Sequence, residues 1–207
     1  MGTVQYFNAM KVRVPWDKIY SRLGYREQST RMDETTREET EKSIAYALSF
    51  INMRGAGRRV SLSDKRDDRV SLATADVFVS RNLSKYVGDC REILVMGATA
   101  GGLIMEAIRQ DIDADNLTRG SILDAVASEM TDGALDWMCD YFNYQLKREN
   151  KKVGRSRYSA GYGDLGLEHQ QTMFTILRLD QIGLSITDSH MLIPEKSVTA
   201  IARIMDV

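Results

Sequence analysis

Arg59-Val60-Ser61-Leu62 and Arg69-Val70-Ser71-Leu72 are near-copies of one another, with the charged turn Asp64 to Asp68 between them. Each run alternates polar with apolar residues, the pattern of a strand with one buried face. Two such runs joined by a turn predict an antiparallel hairpin. On its N-terminal side, residues 3–9 read as a short opening strand and 16–23 as a small helix that Gly24 ends. A strong helix is predicted from Asp33. Asp33, Glu34, Glu38, Glu39 and Glu41 crowd its N-terminal part, where the helix dipole favours acids. Ile44, Leu48 and Ile51 give it an apolar stripe, and Gly55 and Gly57 are expected to stop it.

On the C-terminal side, residues 83–90 read as a short helix and Ile93 to Met96 as a buried strand. Gly97 to Gly102 is expected to turn that strand into a helix ending near Asp111. A long helix is predicted over 117–148, with Ile122, Val126, Met130, Leu135, Met138 and Phe142 facing inward. A loop over 149–164, a helix from 165 to about 179, and two strands near 187–193 and 197–204 complete the chain. Strands and helices do not alternate regularly, and one pairing is antiparallel. The expected class is therefore α+β: a single domain over 1–207, with a mainly antiparallel sheet flanked by helices.

The composition narrows function by exclusion. A chain of 207 residues buries a core without covalent staples. A net charge of −1 gives no global attraction to nucleic acid or an anionic membrane. Cys90, Cys139, His169 and His190 fit no standard metal-ligand spacing. Neither cysteine belongs to a Cys-x-x-Cys pair, no apolar run is long enough to span a bilayer, and the N-terminus lacks a signal-peptide core. A cytoplasmic location is the expectation.

Chemistry concentrates in Arg157-Tyr158-Ser159-Ala160-Gly161-Tyr162-Gly163-Asp164. A fixed cation stands before a glycine-punctuated turn, where backbone groups can approach a ligand and a guanidinium can hold a carboxylate. Asp164 is expected to cap the following helix. The preceding segment, Lys147 to Arg157, holds six basic residues and one acid. It reads either as a solvated loop or as a surface for an acidic partner or a carboxylate ligand. The Gly97 to Gly102 loop lacks Gly-x-Gly-x-x-Gly spacing and a Walker lysine, so it reads as a tight connection. Glu129 sits between buried-looking neighbours and either turns outward or points into a site. No Ser/His/Asp, Cys/His or paired-carboxylate catalytic grouping is visible.

Three ordered segments resemble the activation domain of cobalamin-dependent methionine synthase. They are Ser80-Arg81-Asn82-Leu83 through Cys90 to Gly97-Ala98-Thr99-Ala100-Gly101, then Arg157 to Asp164 with the Arg-x-x-x-Gly-Tyr signature, then Ile182-Gly183-Leu184 through Thr187-Asp188-Ser189 to Pro194-Glu195-Lys196-Ser197-Val198-Thr199-Ala200-Ile201. The resemblance covers roughly residues 75 to 205, and the first 70 residues match more weakly. The length resembles the family's standalone members.

The resemblance implies S-adenosylmethionine binding in support of methionine biosynthesis. The chain would take part in the reductive methylation of cob(II)alamin carried by a partner corrinoid methyltransferase, such as a split methionine synthase. Flavodoxin or another reductase would supply the electron. The work would be positioning, so no side-chain nucleophile is needed. Carried over by residue, Arg157 would hold the ligand's carboxylate, and Tyr158, Ser159 and Ala160 would lend backbone hydrogen bonds to adenine. Gly161 would allow the close approach, Tyr162 would pack beside the ligand or brace the turn, and Glu129 would face its cationic part. Ala202-Arg203 stands where the long enzymes carry an aromatic pair, leaving Ala202 a backbone contact at most. The second expectation is a non-catalytic docking or capping protein of a corrinoid protein that has lost S-adenosylmethionine binding.

Overall fold

The computed structural model describes residues 2–25 and 32–207. An antiparallel hairpin forms with a shifted register: β2 (Arg54–Arg66) pairs with β3 (Arg69–Leu72), Lys65 opposite Val70 and Arg66 opposite Arg69, and of the first copy only Leu62 pairs with the second, opposite Leu72. Strand β2 runs further than the repeat, so the turn shrinks to Asp67-Asp68. With β1 (Gln5–Phe7), β4 (Val77–Val79), β5 (Glu92–Thr99), β6 (Lys151–Val153) and β9 (Ser197–Asp206), these strands build one sheet in the order β4-β3-β2-β5-β9-β6, with β1 beside β2. Every pairing in it is antiparallel. The α+β class, with a mainly antiparallel sheet flanked by helices, is what the chain adopts.

Helices cover both faces. On one lie α1 (Trp16–Arg22), α2 (Glu34–Phe50), α4 (Leu103–Asp113) and α5 (Leu117–Leu146). On the other lie α3 (Arg81–Val87) and α6 (His169–Leu177). Asp33 caps α2 through the Thr36 amide, at 2.9 Å. The six inward positions expected on α5 are all buried.

Several local expectations change. Gly55 and Gly57 do not stop α2, which ends at Phe50; they lie in β2, on the face that meets α5. A Cβ on Gly57 would stand 2.6 Å from Phe142 Cε2, and one on Gly55 would stand 2.8 Å from Met10 Sδ. These glycines let the helix approach the sheet. Gly97 to Thr99 belongs to β5 rather than to a turn. The expected loop over 149–164 contains β6, and the helix expected from 165 begins at His169. The strand expected near 187–193 is a two-stranded hairpin, β7 (Ser185–Ile186) with β8 (Leu192–Ile193). No described helix is long and apolar enough to cross a membrane.

Candidate functional site

The long helix α5 carries Glu129, Asp132 and Asp136 at spacings of three and four, on one face. The edge of the sheet brings Arg157 to that face. After β6, Gly154 N–H still donates to Arg203 C=O at 2.8 Å, and Tyr158 exchanges both backbone bonds with Ile201, at 2.8 and 2.7 Å. Alternation along this edge sends neighbouring side chains to opposite faces. Arg157 therefore turns toward α5. Tyr158 turns toward α3, where its ring stacks on Tyr86 at 5.8 Å.

Arg157 is largely buried, its side chain 16% exposed, and it is already paired. Nη2 donates to Asp132 Oδ1 at 2.9 Å and Nη1 to Asp136 Oδ1. Burial by itself would lower the guanidinium's pKa, but the Asp136 hydrogen bond and the two carboxylate charges hold it above the ordinary value. Burial pushes Asp136 up, yet the bonds from Arg157 and Lys18 outweigh this and keep it below the usual carboxylate range. Two of five guanidinium N–H groups are engaged in these pairs, so the fork keeps donors for another acceptor. Glu129 neither turns fully outward nor stays unpaired. Its side chain is 12% exposed and accepts from Arg22 Nε at 2.6 Å.

Beyond Tyr158 the chain makes a closed turn. Tyr162 N–H donates to Ser159 C=O at 3.3 Å, Gly161 N–H to Leu165 C=O at 2.8 Å, and Leu165 N–H to Tyr162 C=O at 3.1 Å. Tyr158 Oη donates to the Tyr162 carbonyl at 3.1 Å. Gly161 sits at φ +86°, where only glycine rests without strain. A Cβ on Gly163 would come within 2.5 Å of Tyr158 Oη.

These bonds decide which groups can meet a ligand. Both backbone groups of Tyr158 pair with Ile201 of β9, whereas its expected role was a backbone contact to adenine. Among the described residues, the Ser159 amide and both backbone groups of Ala160 make no hydrogen bond. Tyr162 is 69% exposed beside them, and bracing of the turn falls to Tyr158. Ala202 is not brought to this edge. It is fully buried facing α5, and because Ile201 and Arg203 point their carbonyls outward, its own polar groups turn to Leu94 of β5.

Asp164 caps a different helix from the one expected. It accepts from Arg81 N–H at 2.8 Å, Asn82 N–H at 3.2 Å and the Ser80 hydroxyl, at the start of α3. The Ser80 hydroxyl, followed by the backbone bonds, holds its pKa below the usual range. Ser80 in turn accepts from Leu83 N–H at 2.9 Å.

On the other side of Arg157 opens a groove of about 1220 Å³, lined among others by Cys139, Asn143, Lys147, Lys152, Arg155 and Arg203. The basic segment is thus partly a strand edge and partly a groove wall. Its one acid, Glu149, is turned away to Arg59 at 2.6 Å. Sequence reasoning missed Asp132, Asp136, Lys18 and Arg22. The acids carried a usable signal, since they share the helical face of Glu129; the α1 cations carried none.

This single-domain α+β fold, an antiparallel sheet flanked by helices, is shared with the MetH reactivation domain. The solved structure of the MetH reactivation domain bound to AdoHcy superposes with a TM-score of 0.71, covering 97% of this chain and 78% of that one. The two are 15% identical, so the likeness establishes the fold. No protein-family model matches the chain, and no curated protein matches it in sequence.

Proposed function

We propose that this chain binds S-adenosylmethionine at the sheet edge between α5 and the 159–163 turn. There it supports reductive methylation of cob(II)alamin on a partner corrinoid methyltransferase, with flavodoxin or another reductase as electron donor. The observation that carries the reading is a fold shared along nearly the whole chain with a domain crystallised with AdoHcy.

The residues present fit such a ligand. The unused N–H groups of Arg157 suit its carboxylate. The free backbone groups of Ser159 and Ala160 suit the edge of adenine, with Gly161 giving access and the exposed Tyr162 ring an apolar face. Glu129, Asp132 and Asp136 make the surroundings favourable for its cationic groups. When bound, the ligand supplies an electrophilic methyl group; the chain holds and orients it.

Calorimetric titration with S-adenosylmethionine tests this. Saturable binding is expected, weakened in Arg157→Ala by about 1.5–3 kcal/mol, the usual worth of a hydrogen bond to a charged group. No heat at millimolar ligand refutes it and leaves the docking or capping role, which the internal pairing of Arg157 and Glu129 would then favour.

A further inference from the structure

Helix α1 places Lys18 and Arg22 one turn apart, on the side that meets α5. Lys18 Nζ stands 3.2 Å from Asp136 Oδ2 and 3.7 Å from Asp132 Oδ2, while Arg22 Nε binds Glu129 Oε1 at 2.6 Å. The same two aspartates hold Arg157. Glu129, Asp132 and Asp136 are therefore each engaged by a cation of the chain itself.

The pairs are unequal. Lys18 and Arg22 have half-exposed side chains, at 51% and 50%, and exposed ion pairs are weak. Arg157 and Glu129 are largely buried and held in place. Helix α1 spans seven residues and is anchored by one fully buried side chain, Ile19. A shallow cleft lined by Asp17, Lys18, Ser21, Arg22 and Glu129 already runs between α1 and α5.

We infer that Lys18 and Arg22 are built-in competitors for a cationic ligand, and that α1 is a strap across the α5 carboxylates whose cations must swing away for full affinity. The inference rests on the S-adenosylmethionine reading above. It makes Lys18 and Arg22 determinants of affinity rather than of chemistry. Asp132 and Asp136 stay with Arg157 throughout.

The test is calorimetry with S-adenosylmethionine on the wild-type chain, on Lys18→Ala/Arg22→Ala, and on Lys42→Ala/Lys85→Ala, which removes equal charge elsewhere. The first double variant is expected to bind roughly 3- to 30-fold tighter, the range two half-exposed cations can hold back. The control should bind like wild type. In the wild-type chain, saturating S-adenosylmethionine should also speed tryptic cleavage after Lys18 and Arg22. Equal affinity in the Lys18/Arg22 variant, equal tightening in the control, or unchanged cleavage each overturns the strap while leaving the binding site intact. Absence of binding by all three proteins overturns the strap and the reading together.

Discussion

Replacing Gly57 by alanine probes how closely α5 lies on the sheet, and hence how the carboxylate face is positioned. The added methyl would stand 2.6 Å from Phe142 Cε2 and 3.0 Å from Cζ. Carbon atoms pack comfortably at about 3.5 Å, so ring or strand must yield by about 0.9 Å. The ring has little freedom, being 1% exposed with the Tyr141 ring at 5.5 Å. Overpacking of this kind costs about 1–3 kcal/mol. Against it, removing a glycine from the unfolded chain contributes about 0.4–1 kcal/mol of stability. The clash wins, and a net loss of about 1–2 kcal/mol is expected. Urea unfolding should show a lower midpoint with an unchanged slope, the sign of a stability change without a change in exposed surface. Phe142→Leu should relieve part of the clash, so the double variant should lose at least about 0.5 kcal/mol less than the sum of the singles. A loss under about 0.5 kcal/mol in Gly57→Ala, or strict additivity with Phe142→Leu, would refute the close-approach argument.

Two further expectations concern the same edge. Asp164→Ala should speed amide exchange at Arg81 and Asn82 and lower the melting temperature, with α6 unaffected, because the carboxylate serves α3; faster exchange confined to α6 would reverse the assignment. Acid should destabilise the chain in a defined window. Asp136 has a folded pKa below its ordinary value of 3.8, so its contribution is fully present above that value and is lost as pH falls through the folded pKa. Melting temperature should therefore drop from about pH 4 downward, less steeply in Asp136→Asn; identical slopes would exclude the Arg157 pair as a source.

Legibility in the sequence followed the range of the forces involved. The β2–β3 hairpin is local, so its existence and antiparallel sense are readable from two nearby alternating runs, while its register, with Asp64 to Arg66 in the strand, is not. Asp33 capping α2 is equally local. Gly55 and Gly57 are not, because a glycine that breaks a helix and one that admits a distant ring leave the same trace until Phe142 is placed. Asp164 is ambiguous for a related reason. Its carboxylate can cap any helix start within reach, and sequence adjacency favoured the wrong one. At the candidate site, the cation and the positive-φ turn glycine were readable as Arg157 and Gly161. The occupation of Arg157 by Asp132 and Asp136 was not, since it depends on the sheet edge turning that side chain toward α5.

The attachment of Asp164 to the start of α3 separates the turn's position from the chain that leads into it. The 159–163 turn is pinned from α3 and β9, through Asp164 and Tyr158, and not from the strand edge before it. Segments that lie far apart in sequence, Ser80 to Asn82 and Tyr158 to Asp164, behave as one mechanical part. At Arg155 and Ser156 the exposed chain is tied to α3 by one side-chain bond, Tyr86 Oη donating to the Ser156 carbonyl at 2.5 Å. A change of length at Arg155 is therefore expected to leave the backbone from Tyr158 to Asp164 where it is, because its anchors lie on α3 and β9.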